Sequence, residues 1–218
     1  MENRGDLIFD DHDLDLAVPF PWSPGGLLDH DGDGNPDLVG VGTEWDPVVE
    51  SYVSRVTLLR NGFEDRSGTF EHRVTAKNPD SWSRFVMPRA VDLDGDGDRD
   101  VVVATESPSL CIYANDGGGS LALVSALPLS GYIGDLQAAD LDGDADVDVV
   151  VGQPGGVTVL LNDGAGGLVS APPPAVGPSG EPFTLGDLDA DGLLEVVVDR
   201  GSLGLSVFHQ SSPGVFEL

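Results

Sequence analysis

Short apolar runs, broken by acidic or glycine-rich turns, fill most of this chain. One well-marked set begins at Phe85. It reads FVMPRAV, then DVVVAT after an acidic loop, then LCIYA, then LALVSALPL after a glycine-rich turn. The next stretch keeps the same order as LQAA, DVVVG, VTVLL and LVSAPPP. Each run is short, rich in β-branched residues and bounded by Gly, Asn, Asp or Pro, which predicts strands. No segment carries a sustained helical period of apolar residues, so helix is expected to be nearly absent.

The turns between the runs define a repeat. Acidic loops occupy residues 29–37 (DHDGDGNPD), 92–100 (DLDGDGDRD), 140–148 (DLDGDADVD) and 187–195 (DLDADGLLE), with starts 63, 48 and 47 residues apart. A second, polar turn begins at Asn61, Asn115, Asn162 and His209, which is 32, 23, 22 and 22 residues after its loop begins. The first repeat is longer because of an insertion from about Trp45 to Val53, between its second and third strands. Four short strands per unit, repeating at this length, predict an all-β fold of the β-propeller type, one blade per repeat.

The expected organisation is a single domain over residues 1–218 with four complete four-stranded blades, at about 23–80, 81–130, 131–178 and 179–218. Residues 7–20 read as strands of a partial N-terminal blade. Two arrangements follow. The N-terminal strands pair with an end blade and close a ring, or the chain is an arc of a larger propeller whose parent supplies further blades or domains.

Charge narrows the function. The 218 residues hold 10 Lys and Arg against 38 Asp and Glu, for a formal charge of −28. Such a surface repels nucleic acid and anionic membrane. A hydrophobic fraction of 40% argues against an acidic disordered tail. No apolar stretch is long enough to insert in a membrane, and the N-terminus lacks the basic-then-apolar run of a signal peptide. Cys111 is the lone cysteine, set in the apolar run LCIY, so it reads as a buried strand residue with no intramolecular disulfide partner.

The loops contain 18 of the 38 acidic residues, and their spacing is chemical. Carboxylates at positions 1, 3, 5 and 9 of an extended turn converge on one point, and position 7 adds a backbone carbonyl. That is an all-oxygen set suited to calcium. The first loop offers Asp29, Asp31, Asp33 and Asp37 with Asn35 at position 7. The second offers Asp92, Asp94, Asp96 and Asp100 with Asp98, and the third Asp140, Asp142, Asp144 and Asp148 with Asp146. The fourth offers Asp187, Asp189, Asp191 and Glu195 with Leu193. Up to four Ca2+ ions are therefore expected. An EF-hand is excluded, because position 12 is Gly40, Val103, Val151 or Val198, each inside a strand run.

From about residue 7 onward the chain resembles the FG-GAP/VCBS repeat family, the integrin α-like calcium-binding β-propellers. AVDLDGDGDRDVVVAT and AADLDGDADVDVVVGQPGG carry the resemblance most strongly. It implies hairpins between first and second strands that bind calcium. It also implies an extracellular or cell-surface setting and a role in adhesion, ligand binding or support of an enzyme. Two departures stand out. Ala145 replaces the expected Gly at position 6 of the third loop, and the family usually builds more blades than the four visible here.

In a propeller the connections alternate between two faces. Trp22, Trp45, Tyr52, Trp82 and Tyr132 all map to the face opposite the acidic loops. Aromatics on loops of a rigid scaffold suit a carbohydrate or protein ligand, and rings that cap the seams between blades are the competing reading. Eight of the ten basic residues lie between Arg55 and Arg99 and read as solvated strand edges that block unwanted pairing. His30 lies inside the first loop at a position expected to point away from the ligands. No nucleophile–base constellation, zinc motif or phosphate loop is present in the sequence. The chain therefore reads as a non-enzymatic binding or adhesion module. The alternatives are an accessory propeller of a secreted polysaccharide-active or other hydrolytic enzyme, and a structural spacer of a surface protein.

Overall fold

The computed structural model describes residues 22–61, 70–78, 83–154, 156–171, 183–212 and 215–217. The strands expected within residues 7–20 lie outside the described residues.

Four antiparallel meanders follow one another along the chain. The first is β1 (Trp22–Leu28), β2 (Asp37–Asp46), β3 (Ser51–Asn61) and β4 (Phe70–Lys77), and the second is β5 (Phe85–Val91), β6 (Asp100–Thr105), β7 (Ser109–Asn115) and β8 (Leu121–Pro128). The third is β9 (Asp135–Ala139), β10 (Asp148–Gln153), β11 (Gly156–Asn162) and β12 (Leu168–Ser170). The last is β13 (Phe183–Gly186), β14 (Glu195–Asp199), β15 (Leu205–Ser212) and β16 (Val215–Glu217). Their first strands neighbour each other in chain order, β1 beside β5, β5 beside β9 and β9 beside β13. The result is an all-β, β-propeller arrangement of four blades in an arc that is not closed. Helix is confined, among the described residues, to one 3-10 turn at Gly201–Leu203.

The second strands explain why the sequence reads as unbroken apolar runs. Every residue of β6 and of β10 is buried. Successive side chains of a strand point to opposite faces, and here both faces are covered. Val101 and Val103 pack with Leu28, Val39, Val56 and Tyr113 in the seam between the first two blades. Val102 and Ala104 point the other way, into the seam with Leu136, Val149 and Val151 of the third blade. Val150 then packs with Val196, Val198 and Phe208 in the last seam. Each buried valine contributes about 1.5–3 kcal/mol relative to exposure. Among the fourth strands, β8 leaves Leu123 and Val124 exposed, whereas Phe216 of β16 is buried in the last seam.

Inner strands approach closely. A Cβ added at Gly25 of β1 would sit 2.5 Å from the Pro88 side chain of β5, so glycine is required for that approach. The insertion of the first repeat lengthens a hairpin, with β2 and β3 running in register from Leu38–Leu59 out to Asp46–Ser51. Cys111 is buried in β7, as its apolar run predicts, and burial pushes its thiol up to about 11.

Candidate metal centres

The four acidic loops join first to second strands and share one hydrogen-bond scheme. The position 1 carboxylate accepts the N–H groups of positions 4 and 6. Asp92 does so from Gly95 at 2.9 Å and Gly97 at 3.1 Å, and Asp29, Asp140 and Asp187 repeat the pattern. The position 5 carboxylate accepts the N–H of position 7, as Asp33, Asp96, Asp144 and Asp191 do from Asn35, Asp98, Asp146 and Leu193 at 2.8–2.9 Å. These turns drive positions 4 and 6 to positive φ. Glycine meets that demand in most cases, but Ala145 takes φ 77° at position 6 and Ala190 takes φ 64° at position 4. The departure from Gly at Ala145 therefore carries backbone strain, and Ala190 in the fourth loop is a second case that no departure in the sequence had flagged.

This scheme gathers the side chains. Ligand atoms of Asp29, Asp31 and Asp33 lie within 4.8 Å of one another, as do those of Asp92, Asp94 and Asp96, and of Asp187, Asp189 and Asp191. In the third loop the group is Asp140, Asp142 and Asp148.

Position 9 has a further task. Its carboxylate opens the second strand, is at most 1% exposed in all four loops, and ties two turns together. Asp100 accepts from Leu93 N–H at 2.9 Å with one oxygen and from Asn115 N–H at 2.9 Å with the other. Asp37 does the same with His30 and Asn61, and Asp148 with Leu141 and Asn162. Glu195 accepts from Leu188, and its second oxygen lies 3.8 Å from His209 Nδ1, giving a further group of Asp189, Glu195 and His209.

Crowding of like charges is visible in the carboxyl groups. Burial pushes Asp100 above the ordinary carboxylate range, opposed by its N–H donors and reinforced by Asp94 and Asp96. Burial likewise raises Asp148, with Asp142 and Asp144 adding to it, and raises Asp142 beside Asp144 and Asp140. A cation among them would relieve both effects.

The asparagines that open the glycine-rich turns were not assigned a role from sequence. Asn115 Nδ2 donates to Arg99 O of its own loop at 3.1 Å and to Asp29 O of the preceding blade's loop at 3.3 Å. Asn162 Nδ2 donates to Val147 O at 3.1 Å and Leu93 O at 2.7 Å in the same way. Gly119 N–H adds a bond to His30 O at 2.9 Å. The first two loops are thus clamped by the next blade, and the recurrence of Asn at the head of three of the four turns was the available signal. His30 is buried at 3% exposure, where Leu93 and Leu141 stand in the next loops.

One expectation is corrected. Three of the eight basic residues between Arg55 and Arg99 are not simply solvated strand edges. Arg55 pairs with Glu44 and Asp46, Arg89 with Asp135 at 3.8 Å, and Arg60 reaches into the first acidic loop.

On the opposite face, Trp45 and Tyr52 face each other across the β2–β3 hairpin, edge to face at 5.4 Å, and are 53% and 64% exposed. Tyr132 is 61% exposed on the link between the second and third blades. All three residues are exposed rather than buried in a seam. Trp82 and the Trp22 side chain lie outside the described residues.

A lectin of Agrocybe aegerita, described for specific recognition of non-reducing terminal N-acetylglucosamine, shares the fold with a TM-score of 0.57 at 18% identity. The likeness covers 89% of this chain, which spans 64% of the lectin chain. No curated protein matches the chain. The FG-GAP-like repeat matches three times, over residues 29–103, 92–151 and 140–198, each match running from one acidic loop into the next strand run after the following loop. With the loops, blades and repeat matches in agreement over residues 29–198, the chain belongs to the FG-GAP-like repeat family.

Proposed function

We propose that this protein is a calcium-stabilised propeller that acts as a non-enzymatic binding module outside the cell. The observation that carries the metal reading is the convergence of three carboxylates within 4.8 Å in each acidic loop. The donors are hard oxygens on an adaptable turn, which suits calcium better than the rigid octahedron that magnesium demands. Their engagement by backbone N–H groups suits a structural ion, because catalytic metals keep an open position beside a base or nucleophile. A bound ion would lock the loop to its strand and, through the asparagine clamps, to the next blade. An ion that binds only the folded chain adds about 2.7 kcal/mol per site at about 100 times its Kd. The thermal midpoint should rise in calcium and fall in chelator, and equal midpoints would overturn the metal role.

Recognition belongs to the other face. The exposed Trp45 and Tyr52 rings stand on a long, rigid hairpin with Glu44, Asp46 and Arg55 beside them. Flat apolar rings next to polar groups suit a sugar, and the fold shared with a lectin favours carbohydrate over a protein ligand as the first class to try. A glycan array run with wild type and Trp45→Ala tests this. Binding that the variant loses supports it, and silence across broad glycan classes removes carbohydrate.

A further inference from the structure

Four loops of one design do not receive the same cation. Arg60 is the penultimate residue of β3, and its neighbour Asn61 is fixed to the first loop by Asn61 N–H to Asp37 at 2.7 Å and by Nδ2 to Pro36 O at 3.0 Å. From that anchored backbone the guanidinium extends over the loop. Its Nε donates to Asp31 and its Nη2 to Asp33 at 3.1 Å, so the fork spans the carboxylates of positions 3 and 5. The equivalent residue, one before the turn that opens with Asn115, Asn162 or His209, is Ala114, Leu161 or Phe208. Among the described residues, no Lys or Arg pairs with an acid of the second, third or fourth loop.

The guanidinium also rearranges the loop. Asp94, Asp142 and Asp189 at position 3 each accept the N–H of position 5 at 3.2–3.3 Å. Asp31 instead turns one oxygen to Arg60 and leaves the other buried without a partner. The charge differs in the same direction. Four carboxylates less one guanidinium leave the first loop at −3, whereas five Asp less Arg99, whose Nη1 donates to Leu27 O rather than to a loop carboxylate, leave the second at −4. The guanidinium takes one oxygen each of Asp31 and Asp33, so a divalent ion at this loop would lose those two ligand atoms and sit against a like charge.

We infer that Arg60 is the resident cation of the first loop: it holds the loop folded without metal and excludes calcium from it. The inference rests on the reading of the other loops as calcium sites. It makes the chain a three-calcium protein and leaves the first loop, with its clamp to the second blade, formed when calcium is scarce. A planar fork is the right group for this, since Arg stays charged and bridges two carboxylates where Lys is a single point.

Calcium stoichiometry of the full chain, by equilibrium dialysis and calorimetric titration, is the test. Arg60→Ala should bind one more ion than wild type, and Arg60→Lys should show weaker exclusion than wild type. The midpoint of Arg60→Ala in chelator should fall by about 2–4 °C, a shift of the size expected for losing one modest interaction in a chain this long, and calcium should restore it. Equal stoichiometry of wild type and Arg60→Ala would overturn the inference. If neither chain binds calcium, the metal reading fails, and Arg60 is judged separately in chelator by combining Arg60→Ala with Asp31→Asn. Midpoint losses that overlap support a resident cation, and losses that simply add refute it.

Discussion

The first and second acidic loops are near copies in backbone but differ in what meets their carboxylates. Both fold position 1 over the N–H groups of positions 4 and 6, and both use position 9 to tie the loop to the following turn. Yet Asp31 and Asp33 meet Arg60, while Asp94 and Asp96 meet only each other and the backbone. The lesson is that the repeated pattern specifies how the loop is built, and a residue across the sheet decides what neutralises it.

The shared half of the comparison is open to the hardest blow. Asp37 and Asp100 are buried carboxylates, each accepting two backbone N–H groups. Asp37→Ala and Asp100→Ala each leave both donors unpaired, at about 1–3 kcal/mol per buried group. Burial that raises the Asp100 carboxyl offsets part of this, so a loss on the order of 3 kcal/mol is expected for each variant in chelator. Urea unfolding measures it. A large loss at one loop and none at the other would show that the scaffolds are not equivalent.

The differing half can be transplanted. Ala114 holds in β7 the place that Arg60 holds in β3, and it lines a cleft of about 390 Å³ together with Asp94, Asp100 and Gly166. Ala114→Arg should place a guanidinium against Asp94 and Asp96, lower calcium stoichiometry by one, and remove one site's share of calcium stabilisation, about 2.7 kcal/mol at about 100 times Kd. Unchanged stoichiometry in a folded variant would mean that reach alone does not make a resident cation.

How much of this was readable beforehand follows from the same contrast. Strands β5 and β6 coincide with the runs read from sequence, because β-branched segments between punctuated turns leave little choice. The loops were legible because their carboxylates are spaced within one local turn. Arg60 was not, since its target is 27 and 29 residues away and is set by how β2 and β3 pair. The clamps of Asn115 and Asn162 escaped for a like reason, each reaching a neighbouring blade 86 or 69 residues upstream. Position 4 escaped because three of its four residues are glycine and only Ala190 exposes the demand for positive φ.

The smallest expected effect is a difference in sign. In chelator, burial raises Asp100 and Asp148 above the ordinary 3.8. Groups raised in the folded state stabilise it when protonated, so their contribution is complete below about pH 3.8 and is lost as pH rises through their folded values. Asp33 runs the other way, lowered first by the Asn35 N–H and then by Arg60, so its contribution is present above 3.8 and is lost on acidification. Acidification towards pH 3.8 should therefore slow opening at the second and third loops and leave the first unchanged, and acidification below 3.8 should hasten opening at the first. Amide exchange of Asn115 and Asn162 against Asn61, corrected for intrinsic rates, reports the three loops separately, because each of these N–H groups donates to its own position 9 carboxylate. A common response at all three would remove the electrostatic distinction between them. A reversal at Asn61 alone, abolished in Arg60→Ala and masked elsewhere by calcium, would tie that distinction to the arginine.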